Sequence, residues 1–355
     1  MKKFLTLFFV LAIMTFSSGM PFAQTIEEFQ ADAEKAIELV NEGNVDEAKT
    51  ITDKLLQQAK TDFAKDSDAA ISLYNLGSTY NDASLFEDAI ACLLETVAID
   101  ERAFGEDSTD VAYDLSWLGS IYNNQEDYQE AEKHYQRALK IGEAKLGKDH
   151  LDITSLLNNL ALLYDTQGRY SEAEPLYIRA LKIGEAELEP GHLDLAFSLH
   201  NLAILYGNQS RYSEAEPLYI RALEIWEAKL GKDHLNTALS LENLAFLYYN
   251  QSRYSEAEPL YIRTLKIKEA KLGKDHLDTI RTRNNLIYLY NSQGRFTDAE
   301  PFLREALEVA EKSFDKDHPD IADALNSLGR CLDNQNRYSE SEQIYRRAFE
   351  IREKN

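Results

Sequence analysis

Five histidines, His150, His192, His234, His276 and His318, follow one another at intervals of 42 residues. Imidazole nitrogens are common zinc ligands, so a repeated histidine first raises metal binding. Packed helices, however, stand about 8–10 Å apart, whereas zinc needs its ligands at about 2.0–2.1 Å. Copies one repeat apart cannot converge on one ion. The other reading is a linker or capping residue just ahead of a helix, and Pro319 directly after His318 suits a helix start. A second candidate is "RYSEAEPLYIRAL" at residues 169–181, which recurs unchanged at 211–223 and as "RYSEAEPLYIRTL" at 253–265. Its Arg, Tyr and Glu side chains could move protons. An active site, though, breaks the rules of its scaffold at one place, and these residues repeat. The tyrosines are expected to pack with their hydroxyls at a wet edge, and the arginine to pair with an acid or be solvated. No Walker loop, His-Glu-x-x-His, Cys-x-x-Cys or Gly-x-Ser-x-Gly occurs. The sequence therefore supports no catalytic, metal or cofactor site, and a non-enzyme is expected.

The elements carrying these residues repeat as well. "GKDH" at 147, 231 and 273 is matched by "EPGH" at 189 and "DKDH" at 315, always 42 residues apart. Eight units are read, at about 26–67, 68–109, 110–151, 152–193, 194–235, 236–277, 278–319 and 320–353. Such a period signals a solenoid. Within residues 152–193, Ile153, Leu156, Leu157, Leu160, Ala161 and Tyr164 form one helical stripe, and Ala173, Leu176, Tyr177, Ala180, Leu181 and Gly184 a second. Ser171 and Glu174 have capping-box spacing, so Ser171 is expected to cap the second helix, with Pro175 in its first turn. The fold class expected is all-α, a right-handed α-solenoid of about eight antiparallel helix pairs over residues 24–355.

Lys2 and Lys3 followed by the apolar run Phe4–Phe16 and "SSGMPFAQ" read as a secretory signal peptide over residues 1–23. The expected location is secreted or periplasmic, with no membrane segment after cleavage. Cleavage removes two lysines and no acid, taking the formal charge from −23 to −25. A chain this acidic repels phosphate backbones, which argues against nucleic acid as a partner. Cys92 and Cys331 fall in units two and eight. An extended stack should hold them beyond the roughly 7 Å limit for bridging, leaving two free, mostly buried thiols.

Leu157, Leu160, Ala161, Tyr164, Ala173, Tyr177 and Ala180, with Gly119, Tyr122, Ala131, Tyr135 and Ala138 in unit three, follow the large, large, small, aromatic, small, aromatic, small spacing of the tetratricopeptide repeat. The 42-residue period, "NNLA", "RYxEAExLYxRAL" and "GxDHxD" resemble its kinesin-light-chain type. Two departures stand out. Ile287 replaces the small residue in unit seven, so that pair is expected to sit further apart. Leu39 and Thr52 take the aromatic places in unit one.

The resemblance implies a protein-interaction scaffold whose first helices line a concave groove. On it the groove-facing places are Tyr113 and Trp117 in unit three, and Phe197, His200, Asn201, Ile204 and Asn208 in unit five. In unit six they are Leu239, Glu242, Asn243, Phe246 and Tyr249, and in unit seven Arg281, Asn284, Asn285, Tyr288 and Asn291. One place is nearly constant: Asn75, Asn159, Asn201, Asn243 and Asn285. Such a ladder of amides could hold an extended backbone, or it could satisfy the scaffold itself. Only Arg281 and Arg330 supply groove cations, so a neutral or basic segment with an apolar anchor fits better than an acidic tail. The expected function is a non-catalytic scaffold binding a protein or peptide segment around units five to seven. The alternatives are a self-assembling envelope module and a glycan binder using Trp117, Phe246, Tyr249 and Tyr288.

Overall fold

Ala, Leu and Glu are abundant in the repeats, and these residues lose little freedom in a helix, so both halves of each repeat become helical. The computed structural model describes residues 25–354; the expected signal peptide lies outside them. Sixteen helices and no strand occur among the described residues. α1 (Ile26–Asn41) pairs with α2 (Val45–Thr61), and α3 (Ser67–Asp82) with α4 (Phe86–Phe104); α5 (Thr109–Asn124) and α6 (Tyr128–Leu146) follow in the chain, and α7 (Ile153–Thr166) pairs with α8 (Tyr170–Glu187). Then come α9 (Leu193–Asn208) with α10 (Tyr212–Leu230), α11 (Leu235–Asn250) with α12 (Tyr254–Leu272), α13 (Leu277–Ser292) with α14 (Phe296–Ser313), and α15 (Pro319–Asn334) with α16 (Tyr338–Glu353). The described residues up to His134 form one compact unit and those from Tyr135 a second.

In the first unit, Phe29, Leu55, Leu73, Leu76, Tyr80, Leu93 and Ile99 share one core. Thr52, at an aromatic place, is buried there and lies 2.8 Å from the Tyr80 hydroxyl. Cys92 and Cys331 are each buried and free, as expected.

In the second unit the small residues Ala161, Ala203 and Ala245 are fully buried and let the helices of a pair close. Ile287, in the same series, lines a cavity of about 780 Å³ beside α13, α14 and α15. The turn inside each pair is a Schellman motif. Ser210 takes φ +58°, its N–H donates to Gly207 O (2.9 Å), and Arg211 N–H donates to Tyr206 O (2.8 Å). Gly168, Ser252, Gly294 and Asn336 hold the same left-handed place, at φ +59° to +71°.

This turn corrects two expectations. Ser171 does not cap α8: the N-cap is Arg169, and no side chain fills the capping role. The helix starts at Tyr170, directly after the turn, so Pro175 sits inside it rather than in the first turn. The capping-box spacing was present, but the Schellman turn fixes the helix start earlier.

Candidate functional site

The repeated block holds neighbouring repeats together. Arg211 follows the turn, and its guanidinium lies 4.1 Å from the Tyr206 ring centre, at the end of α9. It pairs with Glu214 of its own helix (2.7 Å) and with Glu174 of the preceding second helix (2.7 Å). Arg253 repeats this with Tyr248, Glu256 and Glu216, and Arg295 with Tyr290, Asp298 and Glu258. The two glutamates of "SEAEP" therefore have separate partners: Glu214 meets Arg211, while Glu216 meets Arg253 of the next repeat. Hydrogen bonding to Arg253 holds the Glu216 carboxyl below its usual range, and Arg295 does the same for Glu258. The block's other arginine adds a second tie: Arg263 meets Glu227 (2.5 Å) and donates to Lys232 O (2.8 Å).

The tyrosines divide. Tyr170 is half-buried. Tyr177 is fully buried and its hydroxyl has no hydrogen-bond partner, which corrects the expected wet edge. Its ring fills the gap between helices too deeply for the hydroxyl to reach out, and burial pushes its pKa up.

Four of the five histidines are caps. His192, His234, His276 and His318 are N-caps whose Nδ1 accepts the N–H two residues on, at 3.1–3.2 Å. His150 accepts the same bond from Asp152 N–H, but it stands two residues ahead of the N-cap position of α7, which Asp152 itself occupies. No cluster of metal-ligating side chains occurs among the described residues.

The face of the first helices sorts the remaining candidates. Tyr113, Phe197 (46% exposed), Phe246 (54%) and Tyr288 (63%) stand out to solvent, as do Arg281 and Asn284. Trp117 is half-buried, tilted against Tyr74 with ring centres 6.1 Å apart. Asn159, Asn201, Asn243, Tyr249 and Asn285 are half-buried. Glu242, placed on the open face by spacing, is buried instead, and so is His200.

These two buried groups explain the asparagine ladder in units six and seven. Asn243 Nδ2 lies 3.1 Å from His200 Nε2 of the previous first helix, and Asn285 Nδ2 donates to Glu242 Oε1 (3.4 Å). At those two rungs the amides serve the scaffold. With Asn243 donating, His200 carries its ring proton on Nδ1, and burial lowers its pKa to about 4. His200 packs on Trp226 at 5.0 Å between ring centres. Glu242 is matched by Lys268, whose Nζ donates to Glu242 Oε2 (2.6 Å), Thr282 Oγ1 (3.0 Å) and Asp278 O (3.4 Å). Lys268 is missed by the sequence reading. Its signal is a single register position occupied in turn by Gly142, Gly184, Trp226, Lys268 and Ala310, at which Trp226 meets His200 and Lys268 meets Glu242. Gly184 faces Leu195 so closely that an added Cβ would lie 2.9 Å from it, so each joint is filled differently.

Family models described as tetratricopeptide repeat match residues 70–110, 110–186, 152–219, 194–270, 236–287 and 278–354, most of the chain. The chain belongs to the tetratricopeptide-repeat family. The family's fold is a scaffold for protein–protein interaction. Among solved structures, a Podosopora anserina protein with nearly identical kinesin-light-chain TPR-like repeats is similar at 22% identity, over 58% of this chain and 97% of its own, with a TM-score of 0.52. The apo form of RapI is similar at 17% identity over 80% of this chain and 98% of its own, with a TM-score of 0.52. A signal-transduction ATPase with a tetratricopeptide-repeat sensor from Pyrococcus horikoshii covers 92% of this chain at 16% identity and a TM-score of 0.63, over 47% of its own length. At these identities the likeness is one of fold. No curated protein matches the sequence.

Proposed function

We propose that this tetratricopeptide-repeat protein is a non-catalytic scaffold that holds an extended protein segment along the first helices of residues 194–319, outside the cytoplasm. The observation that carries the reading is the row of exposed apolar side chains Phe197, Leu239, Phe246 and Tyr288. Equivalent exposure is not needed for stacking, because Leu202, Leu244 and Leu286 on the same helices are buried. Large rings at solvent, rimmed by amides, are the usual anchors of protein recognition. A tagged chain carrying Phe197→Ala with Phe246→Ala should lose the partners that the wild type retains after cross-linking, at unchanged helical content. Equal recovery by both proteins would remove this face from the mechanism. Fractionation of the full chain tests the export that residues 1–23 suggest.

One observation favours self-association as a second reading. In α16, Phe349 (60% exposed) and Tyr338 stand at solvent, whereas Leu265 and Leu307, at the register of Phe349 in the two preceding repeats, are buried. Light scattering on the protein, with and without Phe349→Glu, separates the two: a monomer at high concentration in both excludes self-association.

A further inference from the structure

In α16 the side chains of Tyr338, Glu342, Tyr345, Phe349 and Arg352 follow one another at steps of four, three, four and three residues, which sets them in one row along the helix. The same row is closed over in α12 and α14. Tyr261 and Leu265, and Leu303 and Leu307, stand at the places of Tyr345 and Phe349, and they are buried where α13 and α15 pack on those helices. The acid of the row is met there as well, since Glu258 pairs with Arg295 and Glu300 with Arg337 (2.5 Å each).

On α16 no described helix closes the row. Phe349 and Tyr338 stand at solvent, and Glu342 turns back to the exposed Arg346 of its own helix (2.7 Å). Tyr345 is held in place. Its hydroxyl donates to Asp333 Oδ2 (2.9 Å), and a Cβ added at Gly329 would stand 2.6 Å from its ring. The row borders an open depression of about 820 Å³.

The charges of the row decide what fits on it. Glu342 stands towards one end and Arg352 at the other, with Tyr345 and Phe349 between them. A second α16 laid antiparallel, about a two-fold axis at residue 347, brings Glu342 beside Arg352 of the other copy and Tyr345 beside its Phe349. Each contact then occurs twice. A parallel arrangement sets each charge against its own copy, which is repulsive. Head-to-tail stacking on α1 is disfavoured as well. The exposed Glu27, Glu28, Glu34 and Glu38 of α1 would oppose Glu342, Glu350 and Glu353. Asn44 also precedes α2, where Arg211, Arg253, Arg295 and Arg337 precede later second helices, so that end offers no arginine to Glu342. Arg352 already meets Asp323 (2.7 Å), but a guanidinium has five N–H donors and both side chains are largely exposed, so a second carboxylate has room.

We propose that α16 is the contact of a two-fold dimer, its row packing antiparallel on α16 of a second copy, with Tyr345 and Phe349 at the centre and Glu342–Arg352 pairs at both ends. The inference rests on the self-association reading above, and adds the symmetry, the register and the residues. Exposed ion pairs contribute little affinity, so the aromatic pair supplies the attraction and the charges fix the register. Two facing helices of 16 residues, about 24 Å long, make a small interface, and dissociation in the micromolar range is expected. A two-fold contact closes on itself, so assembly stops at two copies.

The test is sedimentation equilibrium of the full chain from about 1 μM to about 1 mM, with helical content as the control for folding. The wild type should pass from the mass of one chain to that of two and no further. Phe349→Ala should raise the dissociation constant at least about ten-fold. Glu342→Arg and Arg352→Glu each set like charges face to face twice and should raise it by at least as much. An equimolar mixture of these two single variants should recover the dimer, because every cation then meets an acid. The double variant Glu342→Arg, Arg352→Glu should recover it too. A change that merely loosened α16 is not repaired by mixing. Should a charge variant lose helical content, Phe349→Ala decides. Self-association that Phe349→Ala or the charge variants leave undiminished, growth beyond two copies, or a mixture that fails to recover each overturns the proposal and leaves self-association through another face. A wild type that stays a single chain throughout overturns the proposal and the self-association reading together.

Discussion

Replacing Lys268 by Met should be among the most damaging single changes in the second unit. Its ammonium and the Glu242 carboxylate are 5% and 7% exposed as side chains, and Nζ has three acceptors for its three protons. Removing it leaves the buried Glu242 with Thr282 and Asn285 as donors and, as its remaining cation, only the exposed Arg281 at 3.8 Å. Breaking a buried pair from one side costs about 3–5 kcal/mol, because the remaining charge keeps its desolvation penalty. Removing both charges is far less costly. The double variant Lys268→Met, Glu242→Gln should therefore recover more than half of the loss, with a coupling of at least about 2 kcal/mol in the double-mutant cycle. The assay is urea unfolding followed by far-ultraviolet circular dichroism. Hydrogen exchange over α11–α13 is needed beside it, since repeat arrays open locally. A single variant within about 0.5 kcal/mol of wild type, together with a cycle that shows no coupling, would refute the buried-pair argument.

Further outcomes follow from the same geometry. His200 has a folded pKa of about 4 against an ordinary 6.5, so the unfolded chain takes up the proton first as pH falls. Its contribution is complete above pH 6.5 and is lost towards pH 4, a drop of about 2.5 kcal/mol by about pH 4.5; His200→Gln should flatten that slope in urea titrations. Glu216 and Glu258, held low by their arginines, lose their contribution only as pH falls below the ordinary carboxylate range, so the two windows separate. Arg253→Ala should speed hydrogen exchange in the first turns of α12, and Arg253→Lys should restore less than half of the protection, because an ammonium cannot both fork two carboxylates and stack on Tyr248. Ser252, at φ +59°, should accept glycine with a gain of up to about 1 kcal/mol in thermal unfolding.

The fold was legible because the repeat states it many times. Ala161, Tyr164, Ala173 and Ala180 hold their places in copy after copy, and a stripe seen eight times leaves little room for another packing. The histidine caps were legible for the same reason, with Pro319 marking the helix start. Misreadings arose where one residue answers to a neighbour far along the chain. Ser171 has the spacing of a cap, but the turn ending α7 already fixes the start of α8. Glu242 sits at a groove position by count, yet Lys268, 26 residues on and on another helix, draws it inward. The asparagine ladder could be read two ways until His200 and Glu242 were seen to occupy the rungs at Asn243 and Asn285. Joints that differ from repeat to repeat carry no periodic signal, and they are where the sequence alone is weakest.

The clasp at the repeat boundary has a consequence for how such a gene can change. Arg211 looks backward to Glu174, and Glu216 looks forward to Arg253. The segments that begin at Arg211, Arg253 and Arg295 thus each carry both a socket and a plug of one standard fitting. Duplicating or deleting one whole segment among the near-identical copies leaves each plug facing a socket, while a cut of any other length strands a guanidinium or a carboxylate at the new junction. The three almost unchanged copies at 169, 211 and 253 are the trace such copying would leave. Array length in this lineage should therefore vary in steps of a full segment, and the individual joints, such as those of Trp226 and Lys268, diverge only afterwards.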